Sequence, residues 1–274
     1  MAPAMLRVGL AATAGALGAL GSAHQDVTAL LQTQVSSDRY ACDCLNLKEV
    51  YTSPQYNTPC GSGHELDWIT KYAPPSIKKT LEQEICPFFF ERLDTAACVE
   101  SAFGHNTRDS WCFVSPQCDH AALAHDTASV KVKRCVAGKD ERLVDKTPGE
   151  LWTMAKEYNV DVGLMIKWAY PVFSETQGEA HWPAIQAAIG VRPTHHGNMT
   201  YKMQVYKDTA EANKPMVFDS FDGKNPFGLV WGDKVWEIRY TDWWYTNIPR
   251  INLETDLPLH LGKISNITCL KGCN

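Results

Sequence analysis

The chain carries ten cysteines, and their positions constrain its fold more than any other feature. Eight lie between residues 42 and 135, none lies between 136 and 268, and two lie near the C-terminus. The ten are Cys42, Cys44, Cys60, Cys86, Cys98, Cys112, Cys118, Cys135, Cys269 and Cys273. An even number is typical of a disulfide framework in a protein that crosses an oxidising compartment. The sequence therefore predicts five disulfides, most simply with four of them inside an N-terminal module.

Two alternatives to that partition follow from the spacing. Cys269 and Cys273 pair either with each other or with the N-terminal module. A zinc site is the sharper alternative to disulfides, because thiolates are common zinc ligands. The spacings C-x-C at residues 42–44 and C-x5-C-x-H at residues 112–120 depart from the usual C-x2–4-C pairs of such sites.

The N-terminus has the pattern of a secretory signal peptide. Arg7 precedes 13 apolar and small residues at positions 8–20, and Gly21-Ser22-Ala23 follows as a small-residue cleavage site. A membrane-spanning helix needs roughly 20 apolar residues, so an uncleaved anchor is the weaker alternative. The sequence predicts a signal peptide at residues 1–23 and a secreted, extracellular mature chain with no membrane span.

Composition excludes several classes of function. With 45 % hydrophobic and 21 % charged residues, the chain is neither disordered nor collagen-like. Its 26 Lys and Arg residues against 31 Asp and Glu give a net charge of −5 and no basic cluster. Nucleic-acid binding depends on neutralising phosphates, so we expect no nucleic-acid partner. No motif for a nucleophile, a phosphate loop or a cofactor is present, and we expect no cofactor.

The mature chain divides into two parts at a short charged segment. Residues 24–138 form a cysteine-rich, partly helical module, residues 139–146 a linker, and residues 147–274 a second domain. Helical patterns in the second domain followed by alternating strands predict helices packed on a small antiparallel sheet. The predicted fold class is therefore α+β with a disulfide-stapled N-terminal module.

Five segments are predicted to be helical. In the module they are residues 76–85 and 88–102, where apolar residues recur every three or four positions. In the second domain, Thr147-Pro148-Gly149-Glu150 is a capping box that starts one helix. A second helix is predicted over residues 162–170, and a third over residues 183–190, beginning at a proline and ending at a glycine.

From residue 198 onward the hydrophobic period changes from helical to two. Alternation at residues 199–205 predicts a strand, and another is predicted over residues 216–221. Gly232-Asp233 between residues 229–231 and 234–240 is a two-residue hairpin signal. Together these segments predict an antiparallel sheet of three or four strands.

One short motif resembles a known class of module. The run Trp-Cys-Phe-Val at residues 111–114 is followed by Cys118. Upstream of it lie Cys60, Cys86 and Cys98. This arrangement resembles the small cysteine-rich modules of secreted proteins from algae and other protists, over about residues 50–120. The resemblance implies a disulfide module and no particular activity.

The aromatic segment at residues 231–245 is the densest candidate for a binding site. The segment and Asn247, which follows it, supply flat rings that suit the faces of sugars and polar groups that suit their hydroxyls. The candidate ligand-binding residues are Asp242, Trp243, Trp244, Tyr245 and Asn247. The alternative is that these aromatic rings fill the core of a small sheet.

Three carboxylates supply the alternative function, a secreted hydrolase acting on carbohydrate. Asp219, Asp222 and Glu237 are its catalytic candidates, since two carboxylates about 5–9.5 Å apart can cleave a glycosidic bond. Asp222 followed by glycine is equally typical of a turn. The leading hypothesis is an extracellular binding or structural component whose ligand is a glycan.

Two sequons and three histidines complete the candidates. Asn198 and Asn266 each begin an N-x-[ST] sequence, which predicts N-glycosylation in a secreted chain. His181, His195 and His196 are weak candidates for a metal site or a general base, since histidines in loops are usually solvated. We therefore predict a glycoprotein without a resident metal.

Overall fold

The structure, a computed structural model, describes residues 41–67, 85–101, 109–173, 180–193, 199–220, 223–252 and 254–273. The predicted signal peptide at residues 1–23 lies outside these ranges, as does the predicted helix at residues 76–85 except its last residue. Within the described part of the chain, no helix has both the length and the apolar character needed to cross a membrane.

The N-terminal module is built on a four-stranded antiparallel sheet. Its strands are β1 (Val99–Glu100), β2 (Ser110–Val114), β3 (Ala122–Leu123) and β4 (Lys131–Arg134). They lie in the order β1-β2-β4-β3, and every residue of β2 is buried. Helix α1 (Leu47–Thr52) and a 3-10 turn (Phe90–Arg92) contact each other beside this sheet. The module therefore contains a sheet that the sequence analysis did not predict.

The helix predicted over residues 88–102 is wrong. Its first half holds the end of a helical turn (residues 85–88) and the 3-10 turn, and its second half is extended up to β1. The cause is tertiary: the Cys98 amide donates to the Glu141 carbonyl at 2.8 Å, and the Leu143 amide donates to the Cys98 carbonyl at 2.9 Å. Long-range backbone pairing overrides a helical period that reflects burial alone, since Phe89, Leu93 and Ala97 are all buried.

All ten cysteines are paired in five disulfides. The bridges are Cys42–Cys118, Cys44–Cys112, Cys60–Cys86, Cys98–Cys135 and Cys269–Cys273. Four of them lie within the N-terminal module, and the two C-terminal cysteines pair with each other. This confirms the predicted framework and its simplest partition, and it shows that the first two bridges are nested around the same stretch of chain.

Four helices precede the second sheet in the described part of the chain, and three of them were predicted. They are α2 (Pro148–Glu157), α3 (Val162–Ala169), α4 (Trp182–Ala188) and α5 (Met199–Ala212). The capping box of α2 is confirmed: the Thr147 amide donates to Glu150 Oε2 at 2.7 Å, and the Glu150 amide donates to Thr147 Oγ1 at 3.3 Å. Asp161 caps α3 through a 3.1 Å bond from the Leu164 amide.

The strand predicted over residues 199–205 is wrong, because this segment begins α5. The buried residues of α5 are Lys202, Val205 and Tyr206, a spacing of three and four positions that suits one helix face. Val205 and Tyr206 pack in a cluster with Trp182 of α4. The alternation of apolar and polar residues at 199–205 therefore does not follow burial, since Lys202 is among the buried residues.

The second sheet is an antiparallel meander of four strands. It consists of β5 (Met216–Phe218), β6 (Phe227–Trp231), β7 (Lys234–Tyr240) and β8 (Ser265–Lys271), in that order. The predicted hairpin joins β6 to β7, with Gly232 at φ +61°. Helix α6 (Asp242–Asn247) and two 3-10 turns (Leu257–Leu259 and Leu261–Lys263) lie between β7 and β8. Helices packed with antiparallel sheets confirm the α+β class.

One hydrophobic core draws on both halves of the chain. Phe90 and Trp111 of the N-terminal module share it with Trp168 of α3, and the Phe90 and Trp168 ring centroids are 4.9 Å apart. Within the predicted linker, Leu143 is fully buried and Asp140 forms a 2.7 Å ion pair with Lys133. The core is thus continuous across residues 139–146. The division into two folding units stays a prediction, which separate expression of the two parts would test.

Candidate ligand-binding cleft

A cleft of about 530 Å³ lies where β7 ends and α6 begins. Glu237, Asp242 and Tyr245, which the sequence analysis proposed for two different functions, all line it. Arg192 and Arg239 line the same cleft and were not predicted. Carboxylates, guanidinium groups and an aromatic ring therefore face one open site.

Strand geometry explains why these groups meet. Residues two apart on a strand share a face, so Glu237 and Arg239 of β7 lie on the same side of the sheet. In the strand pairing, Gly228 of β6 is opposite Glu237, and Asn266 of β8 is opposite Arg239. Asn266 therefore lines the cleft from the neighbouring strand, and its side chain is exposed to solvent.

Two donors from α4 hold the Glu237 carboxylate in place. Trp182 Nε1 donates to Glu237 Oε2 at 3.0 Å, and Gln186 Nε2 donates to the same oxygen at 2.6 Å. The two donors are four residues apart and so lie on one face of the helix. Gly228 allows this approach, because a Cβ there would lie 2.0 Å from the Trp182 ring. A buried helix therefore orients an acid that lines the cleft.

The predicted aromatic residues lie on a helix. Thr241 ends the strand and caps α6, since its Oγ1 accepts from the Trp244 amide at 3.2 Å. Trp244 stacks on Tyr240, with ring centroids 5.4 Å apart, and the Trp243 ring contacts that of His260 at 5.1 Å. Tyr245 is 62 % exposed. A helix separates successive side chains around its axis, so of the three rings only Tyr245 is among the described residues that line the cleft.

Of the two remaining predicted ligand-binding residues, one lines the cleft and the other does not. Asp242, in the first turn of α6, lines the cleft. Asn247 does not: its Nδ2 donates to the Trp243 carbonyl at 2.7 Å and so closes the end of the helix. Asn247 therefore has a local role at the end of α6.

Asp219 belongs to a buried ion pair. Its two carboxylate oxygens lie 2.8 and 3.0 Å from Lys167 Nζ, which also donates to the Gly223 carbonyl at 2.6 Å. Lys167 is 4 % exposed, so the carboxylate of Asp219 is the counter-charge of a buried ammonium group. Asp222 lies outside the described residues. Of the two catalytic candidates that the structure describes, Glu237 lines the cleft and Asp219 does not.

The candidate histidines form no described cluster. His181 occupies the N-cap position of α4, while His195 and His196 lie outside the described residues, as does the sequon residue Asn198. The described groups that could surround a metal are four sulfur atoms within 4.8 Å of one another, from Cys44, Cys98, Cys112 and Cys135. They belong to two disulfides, and zinc binds the thiolate form of cysteine.

Away from the cleft, burial changes the titration of several carboxyls. Glu100 of β1 is 2 % exposed, and burial raises its pKa from 4.5 to about 7, while a 2.9 Å bond from Ser110 Oγ opposes the shift. Burial also raises the pKa of Glu65 and of Asp161. Each of these groups favours its protonated form more strongly in the folded chain than in the unfolded chain.

Stability is therefore expected to fall as the pH rises. Between pH 4.5 and about 7 the folded protein holds a proton on Glu100 that the unfolded chain has lost. The shift corresponds to about 3 kcal/mol of unfolding free energy lost across that range. Urea unfolding at pH 5 and pH 8 measures it, with Glu100→Gln as the comparison. A Glu100→Gln variant with the same pH dependence as the natural chain would contradict this assignment.

Sequence reasoning missed the residues that support the cleft. Gln186 lies in the helix predicted over residues 183–190 and Trp182 directly precedes it, but neither was proposed for a site although they are four residues apart. Lys167, between Ile166 and Trp168 in an apolar helix, was the clearest neglected signal, because a lysine is rarely buried without a partner. Its partner, 52 residues away, follows only from the tertiary structure.

Known proteins provide no further guide to this cleft. Comparison of the chain with protein-family models, with curated proteins and with solved structures finds no match. The function of the protein is therefore inferred from the residues of the cleft.

Proposed function

We propose that the protein is a secreted, disulfide-stapled binding protein whose cleft holds a polyhydroxylated ligand, most simply an extracellular glycan. The observation that carries the proposal is the exposed ring of Tyr245 beside the carboxylates of Glu237 and Asp242 and the guanidinium of Arg239. An aromatic ring can cover the apolar face of a sugar, and the charged groups can accept from and donate to its hydroxyls.

The fixed position of Glu237 supports binding. Because Trp182 and Gln186 already hold Oε2, the carboxylate loses little conformational freedom when a ligand arrives. Its Oε1 is the oxygen that would then accept from a ligand hydroxyl. The five disulfides support the secreted location, since such bridges persist in oxidising compartments.

Of the candidates for the hydrolase alternative, Glu237 lies in the cleft, where Asp242 is a second carboxylate, whereas Asp219 forms the ion pair with Lys167. Hydrolysis would need one of the two carboxylates in the cleft to act as an acid and the other as a base or nucleophile. Incubation of any bound oligosaccharide with the protein distinguishes the alternatives. A binding protein leaves the oligosaccharide intact, and a hydrolase releases shorter products.

We expect Tyr245→Ala and Glu237→Gln each to weaken glycan binding about tenfold, the effect of roughly 1.4 kcal/mol. The protein is produced without N-glycans in the oxidising periplasm of a bacterium and applied to a glycan array, and affinity is then measured by calorimetry. Trp152→Ala is the matched control, because this exposed ring lies on α2 and is absent from the described lining of the cleft. Absence of any bound glycan, or an equal loss in the control, would contradict the proposal.

A further inference from the structure

We infer that a glycan on Asn266 lies in the cleft of the same chain and closes it to other ligands. The consequence for ligands rests on the proposed function, whereas the position of the glycan does not. Asn266-Ile267-Thr268 is the described sequon, and its asparagine lines the cleft beside Arg239 and Tyr245. The predicted modification site and the predicted binding site therefore coincide in space, which the linear sequence does not reveal.

The side chain of Asn266 is exposed on β8, the last strand of the sheet, and is oriented for modification. Its Oδ1 accepts a 2.9 Å bond from the Ile267 amide. The other atom of the side-chain amide, Nδ2, is the atom that carries an N-linked sugar. Because Oδ1 is held by the backbone amide of Ile267, Nδ2 is the side-chain atom that remains available to carry the sugar.

The modification balances as an ordinary glycosyl transfer. A lipid-diphosphate-linked oligosaccharide is the donor. The bond between C1 of its first sugar and the diphosphate oxygen breaks, and a bond from C1 to Asn266 Nδ2 forms. The Nδ2 group loses one proton, and the lipid diphosphate leaves with the bonding electron pair. No oxidant or reductant is required.

The size and lining of the cleft favour occupation by this glycan. Its volume of about 530 Å³ lies within the range of small-molecule sites. Tyr245 offers a ring to the first sugars, and Arg239 lies directly opposite Asn266 in the strand pairing. A sugar on a short tether has an effective concentration in the millimolar range, so even weak contacts would keep it in the cleft.

The position of the glycan can be tested with two substitutions of one residue. Thr268→Ser retains the sequon and Thr268→Ala removes it, while both keep Asn266. Both variants are secreted from a eukaryotic host, and mass spectrometry measures the occupancy of Asn266. Hydroxyl-radical footprinting then compares the oxidation of Tyr245, with Tyr201 of α5 as the internal reference because it is 36 % exposed and outside the described lining of the cleft.

We expect Asn266 to be occupied in Thr268→Ser and the oxidation of Tyr245 to be at least halved relative to Thr268→Ala. An unmodified Asn266 in Thr268→Ser, or equal oxidation of Tyr245 in the two variants, would overturn the inference. Glycan-array binding should be stronger for Thr268→Ala. If that variant binds no glycan although Tyr245 is protected in Thr268→Ser, the proposed function fails and the position of the glycan stands.

Discussion

Removal of both nested bridges, Cys42–Cys118 and Cys44–Cys112, is expected to lower the free energy of unfolding by about 7 kcal/mol. The Cys44–Cys112 bridge closes a loop with a sequence separation of 68, worth about 4 kcal/mol in chain entropy. When that bridge is present, Cys42–Cys118 closes only a small additional ring, worth about 3 kcal/mol. Since folded proteins have only about 5–15 kcal/mol of stability, the double loss should abolish the fold or nearly so.

The nesting also predicts that the second bridge to be removed costs more stability than the first, whichever bridge is removed first. Alanine replacement of either pair alone should cost about 3 kcal/mol, and removal of the remaining pair about 4 kcal/mol, because only the last bridge closes the long loop. Urea unfolding of each two-cysteine variant measures the first step. A single-pair variant that is already unfolded in the absence of urea would contradict the redundancy. The Cys269–Cys273 pair, with a separation of 4, is the control and should cost about 2 kcal/mol.

Breaking the Lys167–Asp219 pair is expected to destabilise the protein by about 3–5 kcal/mol. The larger effect should come from Asp219→Asn, because it removes the carboxylate charge that lies 2.8 Å from the ammonium group of Lys167, whose side chain is 5 % exposed. Lys167→Met should cost less, since Asp219 is 22 % exposed and can be hydrated. Urea unfolding of both variants gives the two values.

The double variant Lys167→Met with Asp219→Asn distinguishes the interaction between the two side chains from the contribution of each side chain alone. If the cost lies in weaker compensation of the buried Lys167 charge, the double variant should be more stable than Asp219→Asn alone. A double variant with the summed losses of the single variants would show that the two side chains contribute independently. Full stability of Asp219→Asn combined with loss of a hydrolytic activity would instead restore Asp219 as a catalytic residue.

The fold was predictable where local chemistry decides conformation. The capping box at Thr147, the Asp161 cap and the Gly232-Asp233 turn each satisfy backbone groups within a few residues, so their signals are visible in the chain. The prediction failed at residues 88–102 and 199–205, where apolar spacing was ambiguous. There the contacts that decide are distant in sequence, such as the backbone bonds between Cys98 and residues 141–143.

The candidate site shows the same division. Glu237, Asp242 and Tyr245 were recognisable by residue type, but the sequence assigned them to two different functions. Their meeting depends on the end of β7 at Tyr240 and on the Thr241 cap, which turns the aromatic residues onto a helix. Trp243 and Trp244 were equally prominent in the sequence and are directed elsewhere by that helix.

The amino-acid sequence was enough to predict a disulfide framework, an α+β fold and a net charge that disfavours nucleic-acid binding. These properties depend on composition, on the even number of cysteines and on contacts between residues that are close in sequence. The pairing of the cysteines, the contact of Lys167 with Asp219 and the position of Asn266 at the cleft became visible in the folded structure. Each of these joins residues on different elements, and which elements become neighbours depends on the packing of the whole chain around one core.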